Sequence, residues 1–221
     1  ASHSLVAGAG EIHYLSEIIN NSILDDLKFN KLKILDEMVK SNNFIYEQYN
    51  NLIKFHNFNS EIITDKAPQN FLWIGFIKIF FPGSKIIHCS RNPKDTCLSI
   101  FKNYFSSKTM YWAYDQKSIA EYYVLYSNLM DFWKSKFKDD IYEASYEKIV
   151  NSPETEVKKM ISFCGLEWEA ECLNFYKNKK TPVQTVSISQ ASKPIYNTSI
   201  NSNEFYVKYL SEMFNILDTN L

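Results

Sequence analysis

The stretch from Ile86 to Ser99 constrains this chain more than any other. The apolar run Ile86-Ile87-His88-Cys89 stops at Ser90-Arg91, and Asn92-Pro93 opens an element that carries Asp95, Thr96, Ser99 and Lys102. Asn is a favoured helix N-cap and Pro is pre-organised for the first helical position. The pattern therefore predicts a buried strand turning directly into a helix, with a guanidinium at the turn. Positions 92, 96 and 99 would share one face of that helix. A helix N-terminus, an arginine and hydroxyls aimed at one spot describe an anion site, most simply for phosphate. A plainer reading pairs Arg91 with Asp95 one turn further on.

The rest of the composition says how such a site must work. The chain has 221 residues, enough for one sizeable core and hence a single domain over 1–221, and a 16% aromatic content excludes disorder. A formal net charge of -1 provides no global field for nucleic acid or an anionic membrane, so anion binding has to be local. The 4 cysteines form no Cys-x-x-Cys pair and have no neighbouring His at zinc-ligand spacing, so no metal site is expected. Cys89 and Cys97 fall in elements expected to be buried and read as reduced and structural. No apolar run reaches the ~18–20 residues that span a bilayer. The longest, Phe71 to Pro82, is interrupted by Lys78. A cytoplasmic location is the expectation.

Residues 1–10, with Gly8 and Gly10, read as a helix end followed by a short strand or turn. Helical segments follow from Glu11 to His56, with breaks at Asn20-Asn21, Asn30 and Ser41-Asn42-Asn43. Ile34, Leu35, Met38, Val39 and then Ile45, Tyr49, Leu52, Ile53 recur at helical spacing, as core faces do. Short strands at 62–64, 85–90 and 141–145 alternate with helices at 70–81, 93–104, 118–136 and 152–164. A short helix at 169–176 and a last one at 204–217 complete the pattern, and along the helix at 118–136 Tyr122, Leu125, Tyr126, Leu129 and Trp133 mark the expected buried side. Such alternation predicts an α/β fold: a three-layer, P-loop-like arrangement with a central parallel sheet flanked by helices. In such sheets ligands bind beyond the carboxyl ends of strands. Lys66 and Arg91 fall there.

Taken singly, Lys66 is an ordinary surface lysine, Glu11 an acid favouring a helix N-terminus, and Ser187 and Lys193 loop residues. Together, Lys66-Ala67-Pro68, Arg91-Asn92-Pro93-Lys94-Asp95 with Ser99, Tyr146-Glu147 before a helix, and Ser187 with Gln190, Lys193 and Pro194 resemble the sulfotransferases that use 3′-phosphoadenosine 5′-phosphosulfate (PAPS). The resemblance covers nearly the whole chain. It is closest to the bacterial branch often joined to tetratricopeptide repeats, which is similar to the tyrosylprotein sulfotransferases.

The resemblance implies that Arg91 and Ser99 hold the 3′-phosphate and that Tyr146 lies near the adenine. Ser187 is implied near the phosphosulfate, and Lys193 near the 3′-phosphate. Lys66 would contact the bridging oxygen of the leaving group, and Glu11 would be the general base. PAPS and a hydroxyl acceptor, with a protein tyrosine as one candidate, would be the partners and PAP the product, with no metal, nucleic acid or membrane; upstream tetratricopeptide repeats are one arrangement the resemblance allows for the full-length protein.

Two departures stand out. Pro68 occupies the position where many cytosolic relatives carry a catalytic His, which shifts the base to Glu11, with His13 as the weaker candidate. The Gly/Ser/Thr-rich 5′-phosphosulfate loop is expected just before Ala1-Ser2-His3-Ser4, where the chain starts, so the resemblance implies a domain lacking its first strand and that loop. A non-catalytic PAP- or PAPS-binding or interaction module therefore stays open beside the enzyme. A nucleotide kinase relative has little support without a Walker-type loop.

Overall fold

The structure is a computed structural model that describes residues 2–21, 34–58, 60–177 and 193–221, and of residues 34–42 and 108 the backbone alone. Its residues form two compact units, Ala1–Ser84 with Glu169–Pro194, and Lys85–Trp168 with Ile195–Leu221.

The first unit opens with β1 (Val6–Gly10) and α1 (Tyr14–Ile19), continues through α2 (Ile34–Lys54) to β2 (Ile62–Asp65), and ends in a 3-10 turn, Pro68–Trp73, that runs into α3 (Ile74–Phe80). β1 and β2 pair in parallel, Val6 with Ile62 and Gly8 with Thr64, and the register slips before Gly10 meets Asp65. Gly10 has φ +75°, a left-handed conformation that costs a residue without Cβ nothing. The kink turns the chain over the end of β2, and the Lys66 amide donates to the Gly10 carbonyl at 2.9 Å. Leu15, Ile18 and Ile19 of α1 pack with Ile45 and Phe80, with Tyr49, Leu52, Trp73 and Phe76 against them. Each such large apolar side chain contributes about 1.5–3 kcal/mol when buried.

The second unit runs β3 (Ile86–Ser90), α4 (Pro93–Lys102), α5 (Gln116–Lys136), β4 (Ile141–Ser145), α6 (Tyr146–Asn151), α7 (Pro153–Phe163) and α8 (Ser211–Asn220). β3 and β4 are parallel, with His88 opposite Glu143 and Ser90 opposite Ser145. Side chains alternate along a strand, so His88, Ser90, Glu143 and Ser145 share a face. α5 covers it: the Tyr126 hydroxyl bonds the His88 imidazole, and Lys134 reaches Glu143 at 2.9 Å. Tyr142, on the other face, packs on Phe163 of α7 with ring centroids 5.4 Å apart. Cys97, Leu98, Ile119, Ala120, Met213, Phe214 and Leu217 close the core between α4, α5 and α8. α7 ends as its sequence signals: Gly165 takes φ +72°, its amide bonds the Ser162 carbonyl, and the Leu166 amide bonds that of Ile161.

Four expectations change. α2 runs unbroken through Ser41-Asn42-Asn43, because a small propensity cost at each residue does not stop a long helix packed on a core; the side chains of Ile34, Leu35, Met38 and Val39 lie outside the described residues, as does the break at Asn30. The buried side of α5 is Ile119, Ala120 and Met130, whereas Leu125 is 67% exposed. The helix expected at 204–217 is split into a 3-10 turn, Ser202–Tyr206, and α8, and the one at 169–176 into 3-10 turns. Cys97 is buried as expected, but Cys89 is exposed.

Candidate functional site

In the first unit, Glu11 follows the Gly10 kink and Lys66 follows β2. The parallel pairing of the two strands therefore brings both side chains to the same strand ends. The Lys66 ammonium bonds Glu11 Oε1 directly. Both are well exposed, with side-chain accessibilities of 59% and 36%. Beneath them, Asp65 accepts from the Tyr49 hydroxyl at 2.9 Å and from Asn70 Nδ2 at 3.2 Å. Burial pushes the Asp65 carboxyl above its ordinary value, opposed by those two bonds and by the charge of His13. Burial also pushes Tyr49 up, reinforced by the Asp65 charge. His13 is exposed at the start of α1. Pro68 opens the following 3-10 turn and supplies no titratable group.

In the second unit, the strand-to-helix turn forms where the sequence placed it, but its donors are used differently. Asn92 caps α4, accepting from the Asp95 amide at 3.1 Å, and the Thr96 hydroxyl donates back to the Asn92 carbonyl at 3.0 Å. The Asn92 amide itself donates to Glu147 Oε1 at 2.8 Å. The first turn is thus occupied by its own cap and a carboxylate, and the hydroxyl of Thr96 is turned inward. What the turn offers an anion is Arg91. Its guanidinium lies 5.0 Å from the Tyr146 ring, so the structure brings these two sequence-derived residues together. Its Nη2 donates to the Ser199 carbonyl, and its Nε is buried with no hydrogen-bond partner among the described residues. Ser99 sits further along α4, half-buried, its carbonyl accepting from Asn103 Nδ2 at 2.7 Å. Lys193 is exposed in the first unit, and Ser187 lies outside the described residues.

Sequence reasoning underrated two groups. Asp95, fully buried, accepts from the Asn201 and Asn203 amides at 2.8 Å each, from the Ser202 hydroxyl at 3.0 Å and from Asn203 Nδ2 at 2.9 Å. Burial alone would raise its carboxyl, but the bonds from Asn203, Ser202 and Asn201 outweigh it and hold the group below its ordinary value. His88 is the other. Burial, then the Lys134 charge, lower its basicity against Glu143 and Asp131, while burial raises the Tyr126 phenol to about 12. His88, Tyr126, Tyr123, Arg91, Asn92 and Asn201 border a pocket of about 370 Å³ in this unit. Only the Arg91–Asp95 spacing hinted at any of this.

Comparison with known proteins adds three findings. Residues 15–170 match the profile of the sulfotransferase family. Over 228 aligned residues the chain is 32% identical to an uncharacterized protein of Aquifex aeolicus (strain VF5), covering 98% of this chain but 29% of that protein, so it spans under a third of the relative's length. Among solved structures it is similar to the sulfotransferase domain of the Synechococcus PCC 7002 olefin synthase (TM-score 0.65, 19% identity, 99% of this chain and 86% of that one). It is also similar to the sulfotransferase domain from the curacin biosynthetic pathway (TM-score 0.58, 15% identity, 99% and 89%). At those identities the likeness carries the fold alone: parallel strands and helices in the P-loop-like α/β arrangement expected from the sequence.

Proposed function

The chain belongs to the sulfotransferase family, and from that premise we propose that it transfers a sulfuryl group from PAPS to an acceptor hydroxyl, with a protein tyrosine as the first acceptor to test. The observation that carries the reading is the Lys66–Glu11 pair at the ends of β1 and β2. It supplies the cation and the base that the reaction needs, at the strand ends where α/β sheets bind ligands.

Sulfuryl transfer resembles phosphoryl transfer in having a loose transition state that places charge on the departing oxygen. Lys66 is proposed to meet that charge at the bridging oxygen of the 5′-phosphate, an interaction that strengthens as the sulfur–oxygen bond breaks. Glu11 is proposed to take the acceptor's proton as the hydroxyl oxygen bonds to sulfur; PAP then leaves. In-line transfer puts nucleophile and leaving oxygen on opposite sides of sulfur, so the direct Lys66–Glu11 bond must open to admit the transferring group. An exposed pair opens at little cost, typically about 0–1 kcal/mol.

For the donor's other end, Arg91 and Ser99 are proposed to hold the 3′-phosphate, Tyr146 to lie near the adenine, and Ser187 and Lys193 to act from the loop before Pro194. The residues present fit such a group: a buried Arg91 Nε without a protein partner among the described residues is a donor still available to an anion. The family match favours this enzyme over a non-catalytic binding module.

Incubation with sulfur-labelled PAPS and a panel of tyrosine peptides, sugars and small phenols tests the proposal. Label transfer to a hydroxyl acceptor is expected. PAP binding without transfer to any member of the panel would move the reading to the binding module, and no PAP binding at all would remove the donor assignment.

A further inference from the structure

The Asp95 side chain is buried one helical turn from Arg91, yet its carboxylate makes no hydrogen bond to that guanidinium. The nearest approach, Arg91 Nη2 to Asp95 Oδ2, is 3.9 Å, beyond hydrogen-bonding distance. The carboxylate's hydrogen bonds come instead from Asn201, Ser202 and Asn203 at 2.8–3.0 Å, three of them on Oδ1 and the Asn201 amide on Oδ2. Asn201 adopts φ 57°, a left-handed conformation that Asn tolerates better than most residues and that lets the following amides converge on the carboxylate. The same segment carries the Ser199 carbonyl that accepts from Arg91 Nη2. The Ser199 carbonyl thus holds the guanidinium, and Asp95 holds the segment that carries that carbonyl.

We infer that Asp95 is the positioning residue of the Arg91 site, latching the Ser199–Asn203 segment onto the α4 turn so that the guanidinium is held ready to distinguish a nucleotide bearing a 3′-phosphate from one without it. This rests on the reading of Arg91 as the 3′-phosphate ligand. Loss of the latch leaves the Arg91 charge in place but lets its direction wander, and bidentate recognition of phosphate depends on direction as much as on charge. The consequence is selective: affinity for the 3′-phosphate falls, whereas affinity for the rest of the nucleotide does not.

Titration calorimetry with PAP and with adenosine 5′-phosphate, on the unaltered protein and on Arg91→Ala, Asp95→Asn and Asn203→Ala, tests it, with circular dichroism to monitor folding. The unaltered protein should prefer PAP by about 10-fold or more, and Arg91→Ala should erase the preference. Asp95→Asn should cut it by about 3- to 10-fold and Asn203→Ala by less, while adenosine 5′-phosphate affinity stays within about 2-fold. A merely structural role would lower both affinities by the same factor. A preference retained in Asp95→Asn and Asn203→Ala but lost in Arg91→Ala overturns the latch alone. A preference retained in Arg91→Ala, or absent from the unaltered protein, overturns the reading of Arg91 and the latch with it. Should Asp95→Asn fail to fold, Asn203→Ala decides: a reduced preference supports the latch and an unchanged one overturns it.

Discussion

The strand-to-loop junctions at the ends of β2 and β3 both carry charge and are built in opposite ways. At the end of β2, the side chains of Lys66 and Glu11 bond each other and stand in solvent. At the end of β3, Arg91 is bonded to Ser199, stacked near Tyr146 and lies above a carboxylate tied by four donors. An exposed ion pair is cheap to rearrange, whereas a buried hydrogen-bonded network is costly to disturb. Groups that must exchange partners during a reaction suit the first construction; a group that must hold a ligand in one orientation suits the second. The carboxylates beside them differ in the same sense. Asp65, with two donors, is raised by burial, whereas Asp95, with four, is held down despite burial.

The largest effect that would break this division of labour lies at Lys66. Lys66→Met should lower sulfuryl-transfer turnover by about 10²–10³-fold, the usual loss for one electrostatic contact to a developing oxyanion, with PAP affinity changed far less; single-turnover kinetics and calorimetry check both. A variant that loses binding and keeps turnover would reverse the assignment. Next comes Arg91→Ala, expected to abolish retention on immobilised PAP, through loss of charge-assisted hydrogen bonds worth about 1.5–3 kcal/mol each. Unchanged retention would sink the phosphate role.

Smaller effects separate the two carboxylates by stability. Asp95→Asn should cost about 1–3 kcal/mol in denaturant unfolding at neutral pH, since it turns a buried acceptor partly into a donor facing donors. Because the folded Asp95 carboxyl is held low, its contribution is fully present above the ordinary carboxylate pKa of about 4 and is lost as pH falls through its folded value. The asparagine variant should lack that acid limb. Asp65 has the opposite sign. Its folded carboxyl is raised, so its contribution is present below the ordinary carboxylate pKa and lost as pH rises through the raised value. Asp65→Asn should therefore be neutral or stabilising at neutral pH, and a clear destabilisation there would erase the contrast.

Much of this was legible from the sequence because it is local. Strand period, the Asn92 cap and Pro93 together specify β3, the turn and α4, and Gly165 specifies the end of α7. The sequence could also place Lys66 and Arg91 beyond strand ends. It could not say how the donors at a helix N-terminus are spent: the Asn92 amide and the Thr96 hydroxyl have the right chemistry for an anion, and they give it to Glu147 and to the Asn92 carbonyl. Nor could it show Asp95 meeting Asn203, a contact between residues 108 positions apart that leaves no periodic trace. Along α5 the expected stripe is half-buried at Tyr122, Tyr126, Leu129 and Trp133 but exposed at Leu125, for a related reason. Aromatic and aliphatic positions such as Leu125 fit a helical stripe, but β3, β4 and α8 decide which side faces inward.

The central claim is that chemistry resides in the exposed pair and binding in the buried turn. Glu11→Gln tests it most directly, with PAP binding and labelled-sulfate transfer measured on the same preparation. The expected result is an unchanged PAP affinity with transfer reduced by about 10²–10⁴-fold, the range of a lost general base. Transfer at the unaltered rate would contradict it.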